Sequence, residues 1–205
     1  MIFMVTTLNY QSKNKESYPG RWPPPQGDWT YDDYVRLPDN GIRYEVIEGN
    51  LYMTPAPRTK HQLAVARLHG CFWDYLKEHH EGEVYFSPID LIIPGFATPV
   101  QPDLLFISKE HPDIVQENFI EGVPDLLIEV LSPGNPMHNR RTKYDIYARA
   151  GVREYWIVDT DASKIEVYVL RGQAYALLKS FSADESACSE VLQDFHVPMG
   201  MICPP

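Results

Sequence analysis

The stretch Val123-Pro124-Asp125-Leu126-Leu127-Ile128-Glu129-Val130-Leu131-Ser132-Pro133 decides how this chain is expected to fold. Its central run, Leu126 to Leu131, is nearly continuous in apolar residues and is bounded by prolines, which is typical of a strand buried on both faces of a sheet. Glu129 interrupts that run. Because burying a carboxylate without a partner costs several kcal/mol, this glutamate needs a cation or a metal ion.

A second acid occupies a similar position. Asp103 stands at the start of the apolar run Leu104 to Ile107, directly after Pro102. Two acids on two neighbouring strands suggest one shared site. Oxygen ligands favour hard cations such as Mg²⁺ or Mn²⁺, which leave further positions to water and phosphate. The structural alternative is that Glu129 pairs with a nearby arginine or lysine and that Asp103 caps a turn.

The residues before these strands predict a helix, a hairpin and a long helix. Thr30 and Asp33 form a capping pattern for a short helix. Alternation from Arg43 to Ile47 and from Leu51 to Met53, around a glycine turn, predicts a β-hairpin. A three- and four-residue spacing predicts the longest helix from about Thr59 to His79, with one face packed on a sheet. The apolar residues that define this face are Leu63, Ala66, Gly70, Trp73 and Leu76.

The remaining segments predict an α/β fold. Strand-like runs extend from Val84 to Ile93 and from Glu154 to Asp159, and a helix is expected from about Arg140 to Ala150. Lys164 to Leu170 and Ala174 to Leu178 are expected to form an antiparallel pair. The order strand, strand, helix, strand predicts a mixed central β-sheet flanked by α-helices.

Composition bounds the organisation of the chain. The 205 residues, of which 44% are hydrophobic, suit one domain over residues 29–205, after an extended proline-rich arm over residues 1–28. Tyr18 and Trp22 of the arm either dock on the domain or on a partner, or the arm is a loose leader. The three cysteines are far apart, as expected of reduced thiols, and no apolar run approaches the length of a membrane span. These features favour a cytoplasmic protein with no membrane segment.

The net charge of −10 argues against extensive nonspecific binding of nucleic acid, because the surface as a whole repels phosphate. It does not exclude a local cleft, since carboxylates that hold a metal contribute acidic residues of their own.

The order of motifs resembles the Uma-type family of prokaryotic endonucleases, within the PD-(D/E)XK superfamily that includes many restriction enzymes. The resemblance covers roughly Tyr31 to Leu178 and implies a restriction-endonuclease-like fold. The motifs that carry it are Pro102-Asp103, Pro124-Asp125-Leu126 through Glu129 to Pro133, Lys143 and Tyr147, Gly151-Val152, and Glu154-Tyr155-Trp156.

This resemblance implies that Asp103, Glu129 and a lysine are catalytic. The superfamily lysine stands two residues after the glutamate, where this chain has Leu131, and the resemblance implies that Lys143 replaces it from the following helix. Asp103 and Glu129, with the main-chain carbonyl of Val130, would hold a Mg²⁺ or Mn²⁺ ion that polarises the scissile phosphate and activates water.

Further site residues are expected around this set. Glu45, Glu48 and His61 are candidates for an additional site contact, and the resemblance favours Glu48 and His61. Tyr147 either hydrogen-bonds the site or is a half-buried core tyrosine. Arg140 and Arg141, in the dense basic stretch, either contact phosphate or belong to a solvated helix face.

We therefore predict a Mg²⁺-dependent DNA endonuclease, and a homodimer, because two symmetric sites cut both strands most simply. The alternative is a catalytically inactive module of nuclease fold that binds nucleic acid or a protein. A lysine ammonium that points into the carboxylate pair favours the enzyme, whereas one that faces solvent favours the binding module. A third hypothesis, an interaction protein that works through the arm, predicts that the carboxylates are dispensable.

Overall fold

The computed structural model describes residues 3–4, 22–54, 56–132 and 137–203, with the backbone alone described for 3–4 and 137–140. The α-helices of these residues are α1 (Tyr31–Tyr34), α2 (Thr59–His79), α3 (Met137–Ala150) and α4 (Met199–Ile202), and a 3-10 turn covers Pro112–Ile114. The strands are β1 (Phe3–Met4), β2 (Arg43–Ile47), β3 (Asn50–Thr54), β4 (Gly82–Phe86), β5 (Leu91–Ile93), β6 (Ala97–Val100), β7 (Leu104–Ser108), β8 (Ile120–Glu121), β9 (Leu126–Val130), β10 (Glu154–Asp159), β11 (Lys164–Arg171), β12 (Ala174–Phe181), β13 (Ser186–Cys188) and β14 (His196–Pro198).

The main sheet has the strand order β12-β11-β10-β9-β7-β4. Its centre is the parallel pair β9 and β10, which α3 connects, and its other neighbouring strands are antiparallel. All five residues of β9 are buried. The prediction of a mixed sheet flanked by helices is confirmed, and the glutamate strand lies at the centre of that sheet.

A second sheet, with the order β1-β3-β2-β6-β5-β8, contains the predicted hairpin of β2 and β3. The predicted strand from Val84 to Ile93 is wrong as a single element. It divides into β4 of the main sheet and β5 of the second sheet, with Pro88 between them. A proline lacks the N–H that a central strand donates, so the chain leaves one sheet there and joins the other.

The apolar core lies on both faces of the main sheet. Alternate residues of β9 point to opposite faces, so Ile128 and Val130 face α2, whereas Leu127 and Glu129 face α3. The layer toward α2 contains Ala64, Leu68, Phe72, Leu104, Phe106 and Trp156 among its members. The layer toward α3 and the second sheet includes Ile47, Leu91, Leu105, Ile146, Tyr147 and Ile157. Glu129 therefore faces the layer between the main sheet and α3.

The extent of α2 agrees with the prediction, but the face that it buries does not. The buried side chains are His61, Ala64, Val65, Leu68, Phe72 and Leu76. Trp73 and Leu63, predicted to face the sheet, are 53% and 46% exposed. Two apolar series at helical spacing run along this helix, and the sheet selects the one that begins at Ala64. Among the described helices, none combines the length and the apolar composition required to cross a membrane.

The end of the predicted arm packs on the β2–β3 hairpin. The N–H of Gly27 donates to the Gly49 carbonyl at 2.8 Å, and Gln26 accepts the Leu51 N–H at 2.7 Å. Gly49 has φ of +73°, and a Cβ there would collide with the Gly27 carbonyl, so this approach requires glycine. Tyr18 lies outside the described residues.

Candidate active site

Asp103 and Glu129 lie side by side on adjacent strands of the main sheet. The antiparallel register pairs Leu104 with Ile128, so the next residue along each strand brings Asp103 opposite Glu129. Both side chains are buried. The structure thus brings together the two acids that the sequence assigned to one site.

Lys143 extends from α3 into the space between Glu129 and a third carboxylate, Glu45 of β2. Its Nζ donates to Glu129 Oε1 at 2.8 Å and to Glu45 Oε1 at 2.9 Å. The lysine is 3% exposed, so its ammonium faces the acids and not solvent. An ion pair with Glu129 is also what the structural alternative predicted, and the pair alone therefore does not separate the two hypotheses.

Strand β2 supplies two further charged groups. Arg43 and Glu45 are two residues apart and share one side of the strand. Glu45 is fully buried, and its Oε1 also accepts the N–H of Gln101 at 2.9 Å. Arg43 Nη1 lies 3.7 Å from Asp103 Oδ1. Sequence reasoning missed Arg43 and ranked Glu45 below Glu48, although two charged residues at strand spacing in a half-apolar run were a signal.

His61 and Tyr147 hold the two predicted acids in place. His61, in the first turn of α2, places Nε2 3.1 Å from Asp103 Oδ2. Tyr147 follows Lys143 by one helical turn, and its hydroxyl donates to Glu129 Oε1 at 3.1 Å. Both side chains are buried, so the rotamers of the acids are set by packing as well as by hydrogen bonds.

Val130 presents its backbone to Asp103. The Leu131 N–H donates to Val158 of β10, so the polar groups of Val130 point to the opposite side, where its N–H donates to Asp103 Oδ2 at 2.8 Å. Continuing the register of β7 and β9 places Pro102 opposite Val130. Because proline has no N–H, it cannot supply the ladder hydrogen bond to the Val130 carbonyl.

Burial and the mutual charges shift the pKa values of these groups. Burial raises the pKa of Glu129 to about 7, with Asp103 and Glu45 adding to the rise and Lys143 opposing it. Burial alone would lower the pKa of Lys143, but the two glutamates hold it above its usual value. For Asp103, burial is outweighed by His61, Arg43 and the Val130 N–H, and its pKa is lowered. Lys143 is therefore charged, whereas the neighbouring carboxylates and burial disfavour the ionised form of Glu129.

The donor set fits a hard cation, although the side chains are not arranged around one. Within the described ranges, no group of three His, Cys, Asp or Glu side chains is placed to hold a metal ion, because Lys143 and Arg43 stand between the acids. Oδ1 of Asp103 and Oε2 of Glu45 are nevertheless buried without a hydrogen-bond donor. Three carboxylates face two permanent cations, and an added cation would relieve that imbalance.

Two predicted site residues, Glu48 and Arg141, do not reach this cluster in the described structure. Glu48 is exposed on the hairpin turn and pairs with Arg149 at 2.8 Å. Arg141 is exposed on α3, and the side chain of Arg140 lies outside what the structure describes. The basic stretch of α3 is thus divided, since Lys143 points inward and Arg149 outward.

Two other buried acids have complete protein partners and show what a structural carboxylate looks like in this chain. Asp125 accepts from the Ser108 N–H at 2.8 Å and from Arg153 at 3.2 Å. Glu154 accepts from Trp156 Nε1 at 2.6 Å and from backbone N–H groups. Burial alone therefore does not define the site. Crowded charge distinguishes the cluster around Asp103, since a buried oxygen without a hydrogen-bond donor also occurs at Asp33 of the α1 capping box.

A mixed sheet that brings an aspartate and a glutamate side by side, with a lysine from the crossover helix hydrogen-bonded to the glutamate, defines a restriction-endonuclease-like protein. Residues 31–200 match the model of the Uma2 family, described as "Putative restriction endonuclease", and the chain belongs to this family. The fold is similar to the crystal structure of a "putative nuclease belonging to DUF820" from Anabaena variabilis ATCC 29413. The TM-score is 0.70 at 18% identity, over 85% of this chain and 97% of that one. No curated protein matches the sequence.

Proposed function

We propose that this chain is a divalent-metal-dependent nuclease that hydrolyses DNA phosphodiester bonds, with Asp103, Glu129 and Lys143 as its catalytic residues. Membership of the family supports a nuclease in general. The observation that carries the proposal is the grouping of three buried carboxylates, Asp103, Glu129 and Glu45, in one site with Lys143. It brings a lysine to the acids although Leu131 occupies the usual lysine position of the superfamily.

Asp103, Glu129 and the Val130 carbonyl would hold the metal ion, Mg²⁺ or Mn²⁺, and Glu45 offers a further carboxylate. When bound, such an ion supplies Lewis-acid polarisation of the phosphate and lowers the pKa of a coordinated water. The unpartnered oxygen atoms of Asp103 and Glu45 support this assignment, as does the Val130 carbonyl opposite a proline.

The protein's own residues prepare the site for charge that develops at the phosphate. The Val130 N–H and His61 fix the Asp103 carboxylate before substrate arrives, so no reorganisation is required at that group. Lys143 remains charged and is positioned to stabilise negative charge beside Glu129. Tyr147 holds Glu129 by its hydroxyl. His61 and Tyr147 are positioning residues in this proposal.

The substrate and assembly follow from the same proposal. We expect Arg141, exposed on α3, to contact a DNA phosphate, and Arg140 to do so beside it. A homodimer would provide one site for each strand of a duplex. Residues 29–205 would form the catalytic domain, with the arm attached through the contacts of residues 22–28 to the hairpin.

The test is cleavage of plasmid and single-stranded DNA in Mg²⁺ or Mn²⁺. Wild type is compared with the isosteric variants Asp103→Asn and Glu129→Gln, and with Lys143→Met. Glu48→Gln is the matched control, because Glu48 is an exposed carboxylate on the turn of the β2–β3 hairpin and pairs with Arg149.

We expect cutting that requires the metal, is lost in EDTA and in the three cluster variants, and is retained in Glu48→Gln. Metal-dependent cutting that survives in Asp103→Asn and Glu129→Gln would contradict the assigned site. DNA binding without cutting in any metal would instead support the inactive binding module.

A further inference from the structure

A cavity of about 640 Å³ opens beside the carboxylate cluster. Its walls come from α1 and the turn after it, from the start of β2, and from the residues that lead into α2. The residues that line the cavity include Tyr34, Asp39, Ile42, Arg43, Ala56 and Gln101. The volume falls within the range of small-ligand pockets, roughly 300–1,000 Å³.

Two residues that line the cavity, Arg43 and Gln101, are close in sequence to the acids of the cluster. Arg43 lines the cavity two residues before Glu45, and Gln101 lines it two residues before Asp103. Gln101 also contacts the cluster directly, because its N–H donates to Glu45 at 2.9 Å and its carbonyl accepts from Arg43 at 3.2 Å. A ligand in this cavity therefore lies next to the acids.

The cavity wall at Arg43 is suited to an anion. The side chain of Arg43 is 21% exposed, whereas that of Lys143 is 4% exposed and is occupied by two glutamates. A guanidinium has five N–H donors, and Arg43 directs two hydrogen bonds to the protein, to the Gln101 carbonyl and to Ser87 Oγ. Arg43 can therefore donate to a phosphate oxygen while it keeps its contacts with Gln101 and Asp103.

Other residues that line the cavity suit a planar, amino-bearing group. Tyr34 offers an aromatic ring whose hydroxyl donates to Asp90 at 3.0 Å. Ile42 adds an apolar surface that is 43% exposed. Asp39, which is exposed, supplies a carboxylate acceptor and would repel a phosphate placed beside it. The lining thus combines a cation, an aromatic and apolar surface, and a carboxylate acceptor.

We infer that this cavity is a nucleotide subsite that receives one unpaired base of the DNA substrate, with its phosphate on Arg43. The inference rests on the proposed nuclease function and narrows its substrate to DNA with an unstacked nucleotide beside the cleaved bond. A base within a duplex is held in its stack and cannot enter a side pocket, whereas a single-stranded or extruded base can enter one and stack on an aromatic side chain.

Binding of mononucleotides tests the subsite without any cutting. The full chain, labelled with ¹⁵N and kept in EDTA, is titrated with each of the four deoxynucleoside 5′-monophosphates, with deoxycytidine, and with inorganic phosphate. Backbone amide shifts report the site directly. We expect the amides of Ile42 and Gln101 to move, with a dissociation constant on the order of 1 mM for at least one nucleotide. Deoxycytidine and phosphate alone should bind more weakly than the best nucleotide.

Two pairs of variants separate the cavity from general effects on the protein. Ala56→Trp fills the mouth of the cavity from an exposed position, and Ala174→Trp adds the same side chain to exposed β12 as a control. Ile42→Glu adds a negative charge to the wall, and Leu177→Glu, at a residue 52% exposed on β12, is its control. We expect at least about tenfold weaker nucleotide binding in the cavity variants and no change in the controls.

Equal nucleotide affinity in wild type and Ala56→Trp would overturn the subsite, as would amide shifts confined to other parts of the chain or no shifts at all. Phosphate binding as tight as that of the nucleotides would overturn the base pocket. DNA cutting with no mononucleotide binding would leave the nuclease standing and refute the subsite. Mononucleotide binding in the cavity with no DNA cutting would support the nucleotide-binding cavity and refute the nuclease.

Discussion

Replacing Lys143 with methionine removes the charge that separates two buried glutamates. The side chains of Glu45 and Glu129 are 0% and 9% exposed, so water cannot compensate for the lost ammonium. Breaking a buried pair by removing one partner costs about 3–5 kcal/mol. Methionine keeps most of the lysine's length and apolar packing, so we expect a loss of this size in the free energy of unfolding at pH 8.

Urea denaturation followed by circular dichroism measures this loss, and Lys60→Met provides the control. Lys60 pairs with Asp161 at 3.1 Å, but the two side chains are 54% and 63% exposed. Exposed pairs of this kind contribute about 0–1 kcal/mol. The structure therefore predicts a clear difference between two lysine-to-methionine changes in one chain.

The double variant Lys143→Met with Glu45→Gln should recover part of the stability, because one of the two uncompensated charges is removed. The loss in Lys143→Met should also shrink toward pH 5, where the glutamates can take up protons. If Lys143→Met costs no more than Lys60→Met at pH 8, and Glu45→Gln restores nothing, Lys143 does not hold these acids together and the description of the site is wrong.

Other outcomes follow from the same geometry. Because burial raises the pKa of Glu129 to about 7 from an ordinary 4.5, this group favours folding below pH 4.5, and its contribution is lost as the pH rises toward 7. Urea titrations in EDTA should show that slope in wild type and a shallower one in Glu129→Gln. Tyr147→Phe should cost about 1 kcal/mol of stability by losing the hydrogen bond to Glu129, measured in the same way. Removing the metal with EDTA should abolish DNA cutting, and Mg²⁺ or Mn²⁺ should restore it in a nuclease assay. Asp103→Asn should lower the rate of cutting at saturating metal by at least about 100-fold in the same assay.

Local signals in the sequence were enough to predict the framework. The continuous apolar run around Glu129 predicted a strand buried on both faces, and all five residues of β9 are buried. The Thr30 and Asp33 pattern predicted a helix start, and both reciprocal hydrogen bonds of the capping box are present. These features depend on neighbours within a few residues, so spacing is sufficient to find them.

Contacts between distant segments were harder to predict. Lys143 and Glu45 are 98 residues apart, and no spacing within the chain shows which acid of the β2 hairpin meets that lysine. Glu48 stands in the glycine turn at φ of +48°, which directs it toward solvent, whereas Glu45 lies inside the strand. The buried face of α2 was equally uncertain from sequence, because its two apolar series have the same period and only the position of the sheet selects between them.

The spacing of Arg43 and Glu45 on β2 has an evolutionary consequence. Side chains alternate along a strand, so one residue inserted or deleted between Arg43 and Glu45 would turn one of the two away from the site. A change in the length of β2 between these two residues therefore cannot keep both side chains in the site. We expect relatives that keep both residues to align across β2 without gaps, and their variation to accumulate in the turns on either side.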